Sequence, residues 1–211
     1  LRLEPRKERS QAMALASPLI AVALTMIFGM ILFAALGKDP VQTVLTIFWE
    51  PLTNDFARSE LLVKGTPLVM IAVGLAMGFR AGIWNIGAEG QFIVGAIAGG
   101  AAGLAVYDTA GIWVLPMMCL AGAAAGAAWA MIPAILKTRF RTNEILVSPL
   151  LVYVAEKILA SAAVGFLRNP EGSGFPGSRN LSRIESMNNP ELIPGTGMHW
   201  GVVLAFIAVI A

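Results

Sequence analysis

Apolar positions in this chain come in long blocks, not in the period-two alternation of half-buried strands, and short polar segments divide the blocks. A helix rises about 1.5 Å per residue, so roughly 20 apolar residues cross a hydrocarbon core of about 30 Å. On that measure the pattern predicts spans over 17–36, 61–80, 91–107, 111–136 and 145–167, with a truncated sixth from about 200. The expected fold is all-α: a polytopic membrane helix bundle with about five complete transmembrane helices and an interrupted helix turn near 80–91. "VQTVLTIFWEPL" at 41–52 reads as a short amphipathic helix on the outer face. The first apolar run is longer than a signal-peptide core and has no small-residue exit before Lys38, so it is read as a transmembrane helix. The chain opens on Leu1, and its last run, "WGVVLAFIAVIA", is too short to span; residues 1–211 are expected to be the N-terminal part of a longer chain, forming a single transmembrane domain.

Polar residues inside this pattern are the informative ones. "FRAGIWNIGAEGQFIVGAI" at 79–97 joins the second and third spans yet carries Arg80, Asn85, Glu89 and Gln91. Gly82, Gly87 and Gly90 lower helix propensity there, and Asn85 is placed to cap the helix that follows. Non-helical backbone at membrane depth is tolerated where protein buries it or where it lines a wet cavity. Two readings of Glu89 stand side by side: a first-turn partner of the helix dipole, or, with Asn85 and Gln91, a lining or gating group of a translocation pathway. Arg80 marks the interface and is a candidate structural partner of Glu89 if the glycine-rich turn folds back. Glu156 and Lys157, inside the fifth span, raise the same question; adjacent helical residues point about 100° apart, so a buried polar face is expected over a facing pair or lipid exposure.

Small residues add a packing signal. Gly74, Gly78 and Gly82 recur at every fourth position, as do Gly95, Gly99 and Gly103, and Gly122 pairs with Gly126. Such ladders let helix backbones approach closely, which suits a compact bundle.

Composition agrees: 57% of residues are hydrophobic and 13% charged, against a soluble norm of about 25% charged. Charge then orients the spans. Arg2, Arg6, Lys7 and Arg9 precede the first, and Lys137, Arg139 and Arg141 lie between the fourth and fifth. The even number of intervening spans puts both clusters on one side, the cytoplasmic one by the positive-inside rule. Loops 37–60 and 168–199 then face outward, and "RNPEGSGFPGSRNLS" reads as a segment ordered by turns. The net charge of +2 gives no footing for nucleic acid. The lone Cys119 excludes an internal disulfide, and the lone His199, beside Trp200, reads as an interfacial residue.

At this point the residues carry a resemblance. "FRAGIWNIGAEGQFIVGA" is similar to the N-I-G-A-E-G-Q segment of permease subunits from bacterial ABC importers for ribose-type simple sugars and, more closely, nucleosides. "RTNEILVSPLLVYVAEKIL" resembles that family's T-N-E stretch and its following helix, and "RNPEGSGFPGSRNLS" its outward loop; the three occur in the family's order over about 79–182. Pro149 and Val152 depart from the pattern, an apolar helix former and an asparagine being usual there. The resemblance implies a permease domain in a bacterial inner membrane, N-terminus cytoplasmic, that moves a nucleoside or simple sugar. It also implies a cytoplasmic ATPase subunit, a second permease subunit (identical or related) and an extracytoplasmic substrate-binding protein as partners. The ATPase-docking segment falls beyond Ala211. No phosphate-binding G-x-x-x-x-G-K-[ST] loop occurs, so no cofactor is expected in this chain and ATP and Mg are expected on the ATPase. The alternative in transport is a secondary transporter driven by an ion gradient; an integral-membrane enzyme or a purely structural subunit lacks any recognisable catalytic set to support it.

Overall fold

The computed structural model describes residues 11–109 and 111–210. Among them run α1 (Gln11–Ala35), α2 (Pro40–Phe48), α3 (Glu50–Thr53), α4 (Asp55–Arg80), α5 (Ala88–Ala105), α6 (Val114–Phe140), α7 (Glu144–Val164) and α8 (Gly201–Ile210), with two 3-10 turns, Leu181–Arg183 and Glu185–Met187. The described residues hold no strand, only one antiparallel bridge between Glu191 and His199. Five helices, α1, α4, α5, α6 and α7, are long and apolar enough to cross a membrane, as the sequence pattern predicts. The basic N-terminal cluster at positions 2–9 lies outside the described residues.

The chain divides into two compact units, 1–62 and 63–211. In the first, α2 packs on α1. Asp39 caps α2 by accepting from the Val41 and Gln42 N–H groups at 2.9 and 3.0 Å, with Pro40 at the helix start, where its missing N–H costs nothing. The single helix expected over 41–52 is two helices parted at Trp49. Pro51 explains the break, since it has no N–H to continue the ladder and restricts the residue before it. α4 starts at Asp55 and not near 61 because the Asn54 side chain accepts from Phe56 N and Ala57 N at 3.0 and 3.2 Å.

In the second unit α5 packs on both α6 and α7. A Cβ placed on Gly95 would meet the Gly122 carbonyl at 3.0 Å and one on Gly122 the Gly95 carbonyl at 3.0 Å, so these glycines form the α5–α6 crossing. A Cβ on Gly99 would likewise meet the Met118 carbonyl at 3.0 Å and one on Gly126 the Gln91 carbonyl at 3.2 Å, continuing the seam along both helices. The other ladder behaves differently: Gly74 has nothing within 4 Å, and Gly82 is a helix terminator. α7 turns a small-residue seam of Ser148, Ala155 and Ala162 inward and runs through Pro149 without a break. Large apolar side chains such as Leu19, Phe28, Leu120 and Phe206 are exposed, the arrangement expected where lipid is the solvent. Residues 165–200 are ordered by turns, with positive φ at Gly174, Gly177, Gly195 and Gly197 and side-chain turns at Asn169 and Asn180.

Candidate functional site

The interrupted turn begins where α4 ends. Gly82 adopts φ +74°, its N–H bonds the Phe79 carbonyl at 3.0 Å, and the Ile83 N–H bonds the Gly78 carbonyl at 2.9 Å. This paired closure satisfies the last carbonyls of α4 and turns the chain away, and it needs a residue free to enter the left-handed region. Phe79 and Trp84 pack ring against ring across the turn, centroids 5.1 Å apart.

The segment is then fastened to α7. Ile86 N–H donates to Ser148 Oγ at 3.1 Å, and the Ser148 hydroxyl donates to the Glu144 carbonyl at 2.7 Å. Ser148 is only 1% exposed. A Cβ on Gly87 would fall 2.7 Å from the Ser148 carbonyl oxygen and 2.9 Å from its Cβ, so only glycine allows this approach. One turn later a Cβ on Gly90 would meet Val152 Cα at 3.1 Å and Trp129 Nε1 at 3.2 Å; that indole N–H is buried with no hydrogen-bond partner among the described residues. Asn143 caps α7 by accepting from Ile145 N at 3.0 Å, and Glu144 forms an ion pair with Lys137 at the end of α6. The ends of α4 and α6 and the starts of α5 and α7 therefore meet in one cluster.

Each residue singled out from sequence can now be placed. Asn85 is half-buried, and its side chain accepts from Gly87 N at 3.0 Å, forming a local turn ahead of α5; the cap of α5 is Gly87, which contradicts the expectation of a cap by Asn85. The difference is one of reach, since Asn85 bonds the N–H of the cap residue and none inside the helix. Glu89 lies in the first turn of α5, exposed, because the helix starts at Ala88 instead of 91. Gln91 is half-buried, its own carbonyl covered by Gly126. Arg80 is exposed at the end of α4 and makes no ion pair with Glu89: the turn closes over Gly82 and carries the chain to Ser148 instead of back on α4. Glu156 and Lys157 are both exposed among the described residues, where a buried polar face was expected. Ser148 and the Lys137–Glu144 pair were not foreseen; the only signal was a hydroxyl directly before Pro149, close behind the T-N-E cap.

At the other end of α5, Tyr107 donates to the Asn180 carbonyl at 3.2 Å and the Arg179 guanidinium lies over the Tyr107 ring at 5.2 Å. Beside them opens a cleft of about 1020 Å³, lined by Ile112, Leu115, Ser182, Glu185, Asn188 and His199 among others. His199 also accepts from Gly201 N through Nδ1 at 3.1 Å, steadying the start of α8. No group of three or more metal-ligating side chains occurs among the described residues.

The family described as "Branched-chain amino acid transport system / permease component" matches residues 57–211, which take in all but the first two residues of α4, α5 to α8 and both ends of the α5–α7 cluster. The chain belongs to this permease family. A glucose ABC transporter permease protein of Haloferax volcanii is 34% identical to it over 219 residues, covering 100% of this chain and 57% of the relative. A guanosine ABC transporter permease protein of Bacillus subtilis is 27% identical over 197 residues, 92% of this chain and 55% of the relative. A nucleoside ABC transporter permease protein of Lactococcus lactis is 28% identical over 137 residues, 65% and 38% of the two chains. The permease thus spans 57% or less of the length of these relatives. No solved structure matches it. With five apolar helices of spanning length in this family, it is a multi-pass membrane protein.

Proposed function

We propose that this permease is the translocation subunit of an ATP-binding-cassette importer that carries a nucleoside or simple sugar across the bacterial inner membrane. The family match over 57–211, joined to relatives named for glucose, guanosine and nucleosides, is the observation that carries this reading. Hydrolysis of ATP, with its Mg, belongs to a separate cytoplasmic ATPase, a second permease chain completes the pathway, and an extracytoplasmic binding protein delivers the solute. The cytoplasmic side is the one holding Arg80, Lys137, Arg139 and Arg141, which places the α4–α5 turn inward and the Tyr107–Asn180 end outward.

On this reading Asn85, Glu89 and Gln91 border the moving part of the pathway. Asn85 lies within a backbone with no regular structure from 83 to 87, Glu89 and Gln91 follow it, and Glu89 is an exposed carboxylate at the end of an apolar span. Arg80 is a cation of the inner interface. The test is uptake of a labelled nucleoside and sugar panel by cells with and without the full-length gene. ATP-dependent uptake that stops when the partner ATPase loses its phosphate-loop lysine supports the assignment. Uptake that survives ATP depletion while an ion gradient remains moves it to a secondary transporter. Glu89→Gln tests the pathway role: lost uptake with normal membrane levels supports it, and parental uptake reduces Glu89 to a dipole partner worth about 0.3–1 kcal/mol.

A further inference from the structure

α7 has two unlike faces. Its packed seam is Ser148, Ala155 and Ala162, spaced by seven residues, which returns to nearly the same bearing at about 100° per residue. Counted from Ala155, Lys157 lies about 200° around the helix and Tyr153 about 160°, so both point directly away from that seam; Glu156 stands beside them at about 100°. Tyr153 is 64% exposed, and Glu156 and Lys157 are exposed too, with no hydrogen bond or ion pair to any described residue.

Depth makes this exposure significant. At about 1.5 Å per residue Glu156 sits about 18 Å from Glu144 and about 12 Å from Val164, in the middle of the span. Ionisable groups at that depth are costly in lipid and face a wet cavity or a partner. Lys157 gains no relief by stretching to the nearer interface. Helical side chains lean toward the helix N-terminus, here the farther end, about 19 Å away.

We propose that the Tyr153–Glu156–Lys157 face of α7 is a wall of the water-filled translocation pathway and a binding site for a neutral, polyhydroxylated solute. This rests on the permease reading above. Glu156 supplies acceptors and Lys157 donors side by side with no net charge, which fits a neutral diol, whose hydroxyls both donate and accept. The exposed Tyr153 ring offers an apolar platform for a sugar or base face.

The experiment places single cysteines at Tyr153, Lys157 and Ala160, with Leu159 as a position at the same depth on the seam side, in the full-length protein carrying Cys119→Ala. The protein stays in native membranes with its partners, and a charged, membrane-impermeant thiosulfonate is the probe. The expected result is reaction at Tyr153→Cys, Lys157→Cys and Ala160→Cys about tenfold faster than at Leu159→Cys, slowed severalfold by saturating guanosine or glucose. In uptake, Glu156→Gln and Lys157→Gln raise KM severalfold at parental membrane levels. Rates equal to that of Leu159→Cys, or fast reaction that neither solute slows while both are transported, each overturn the proposal. Failure of the permease reading looks different: the parental protein then moves neither solute with ATP, while the rates without solute still decide whether this face is wet.

Discussion

Replacing Gly87 by alanine isolates the contact that fastens the α4–α5 turn to α7. Gly87 has φ −98° and ψ 16°, which an alanine adopts, so the backbone itself raises no objection. The obstacle is space. The new methyl would lie 2.7 Å from the Ser148 carbonyl oxygen and 2.9 Å from its Cβ, whereas ordinary contacts begin at 3.4 Å. α7 cannot yield there, because the atoms are its own backbone and the adjoining Cβ. The turn must therefore withdraw by more than half an ångström, stretching the 3.1 Å bond from Ile86 N to Ser148 Oγ past useful length. Overpacking of this kind costs about 1–3 kcal/mol, and a part-buried N–H left without its acceptor up to about 1–3 kcal/mol more, for a total of about 2–6 kcal/mol at most. Thermal unfolding of the purified full-length protein, followed by Trp fluorescence, should fall by several degrees. Gly74→Ala is the matched comparison: nothing lies within 4 Å of its Cβ and it sits inside α4, so it should gain about 0.5–1 kcal/mol. If Gly87→Ala melts with or above the parental protein while Gly74→Ala behaves as stated, the turn is not held against Ser148 and the account of this cluster is wrong.

Ser148→Ala keeps the space but removes the acceptor of Ile86 N–H, so it should cost about 1–3 kcal/mol in the same melt and speed hydrogen exchange at the Ile86 amide. Gly95→Leu drives a branched side chain into the Gly122 carbonyl at the α5–α6 crossing and should abolish stable accumulation in the membrane, read by quantitative blotting. Arg141→Gly should raise the melting temperature slightly, since Arg141 ends α6 at φ 55°, where a side chain costs about 1 kcal/mol that glycine does not.

The parts of this fold that follow from periodicity were readable in advance. Five spans, the break near 80–91 and the Gly95–Gly99/Gly122–Gly126 seam all follow from block length and spacing, which are properties of the chain alone. Element ends were less legible because they depend on caps: Asn54 carries α4 upstream to Asp55, and Gly87 lets α5 begin at Ala88, bringing Glu89 inside the helix. The Gly74–Gly78–Gly82 ladder has the same spacing as the Gly95–Gly99–Gly103 one, yet a Cβ on Gly74 would meet none of the described residues within 4 Å, because spacing states which residues share a face and not what the face meets. Ser148 was invisible for the same reason. Its importance lies in an N–H sixty-two positions earlier in the chain, and no local pattern encodes that pairing. Glu156 and Lys157 were noticed as anomalies, but the side they face depended on knowing that Ser148, Ala155 and Ala162 form the seam.

The two kinds of contact in the second unit differ in what it takes to exchange them. Along α5–α6, glycine after glycine seats against a carbonyl of the opposite helix, which a Cβ would meet at 3.0 Å on Gly95 and Gly99 and at 3.2 Å on Gly126, so any slide would drive backbone into backbone at several places together. Between the turn and α7 the polar attachment is slight: Ile86 N–H donates to Ser148 Oγ and the Trp84 backbone N–H acts on the Glu144 carboxylate, backed by the Gly87 approach. Net hydrogen-bond energies of about 0.5–1.5 kcal/mol can be offset by a modest difference in ligand contacts. A permease that alternates between two packings should therefore keep α5 and α6 as one body and change at the turn. On the proposed translocation role, Gly87 and Ser148 bear on transport more directly than the charge of Glu89 does, since a side chain at the edge of the turn can influence only an attachment that is able to open.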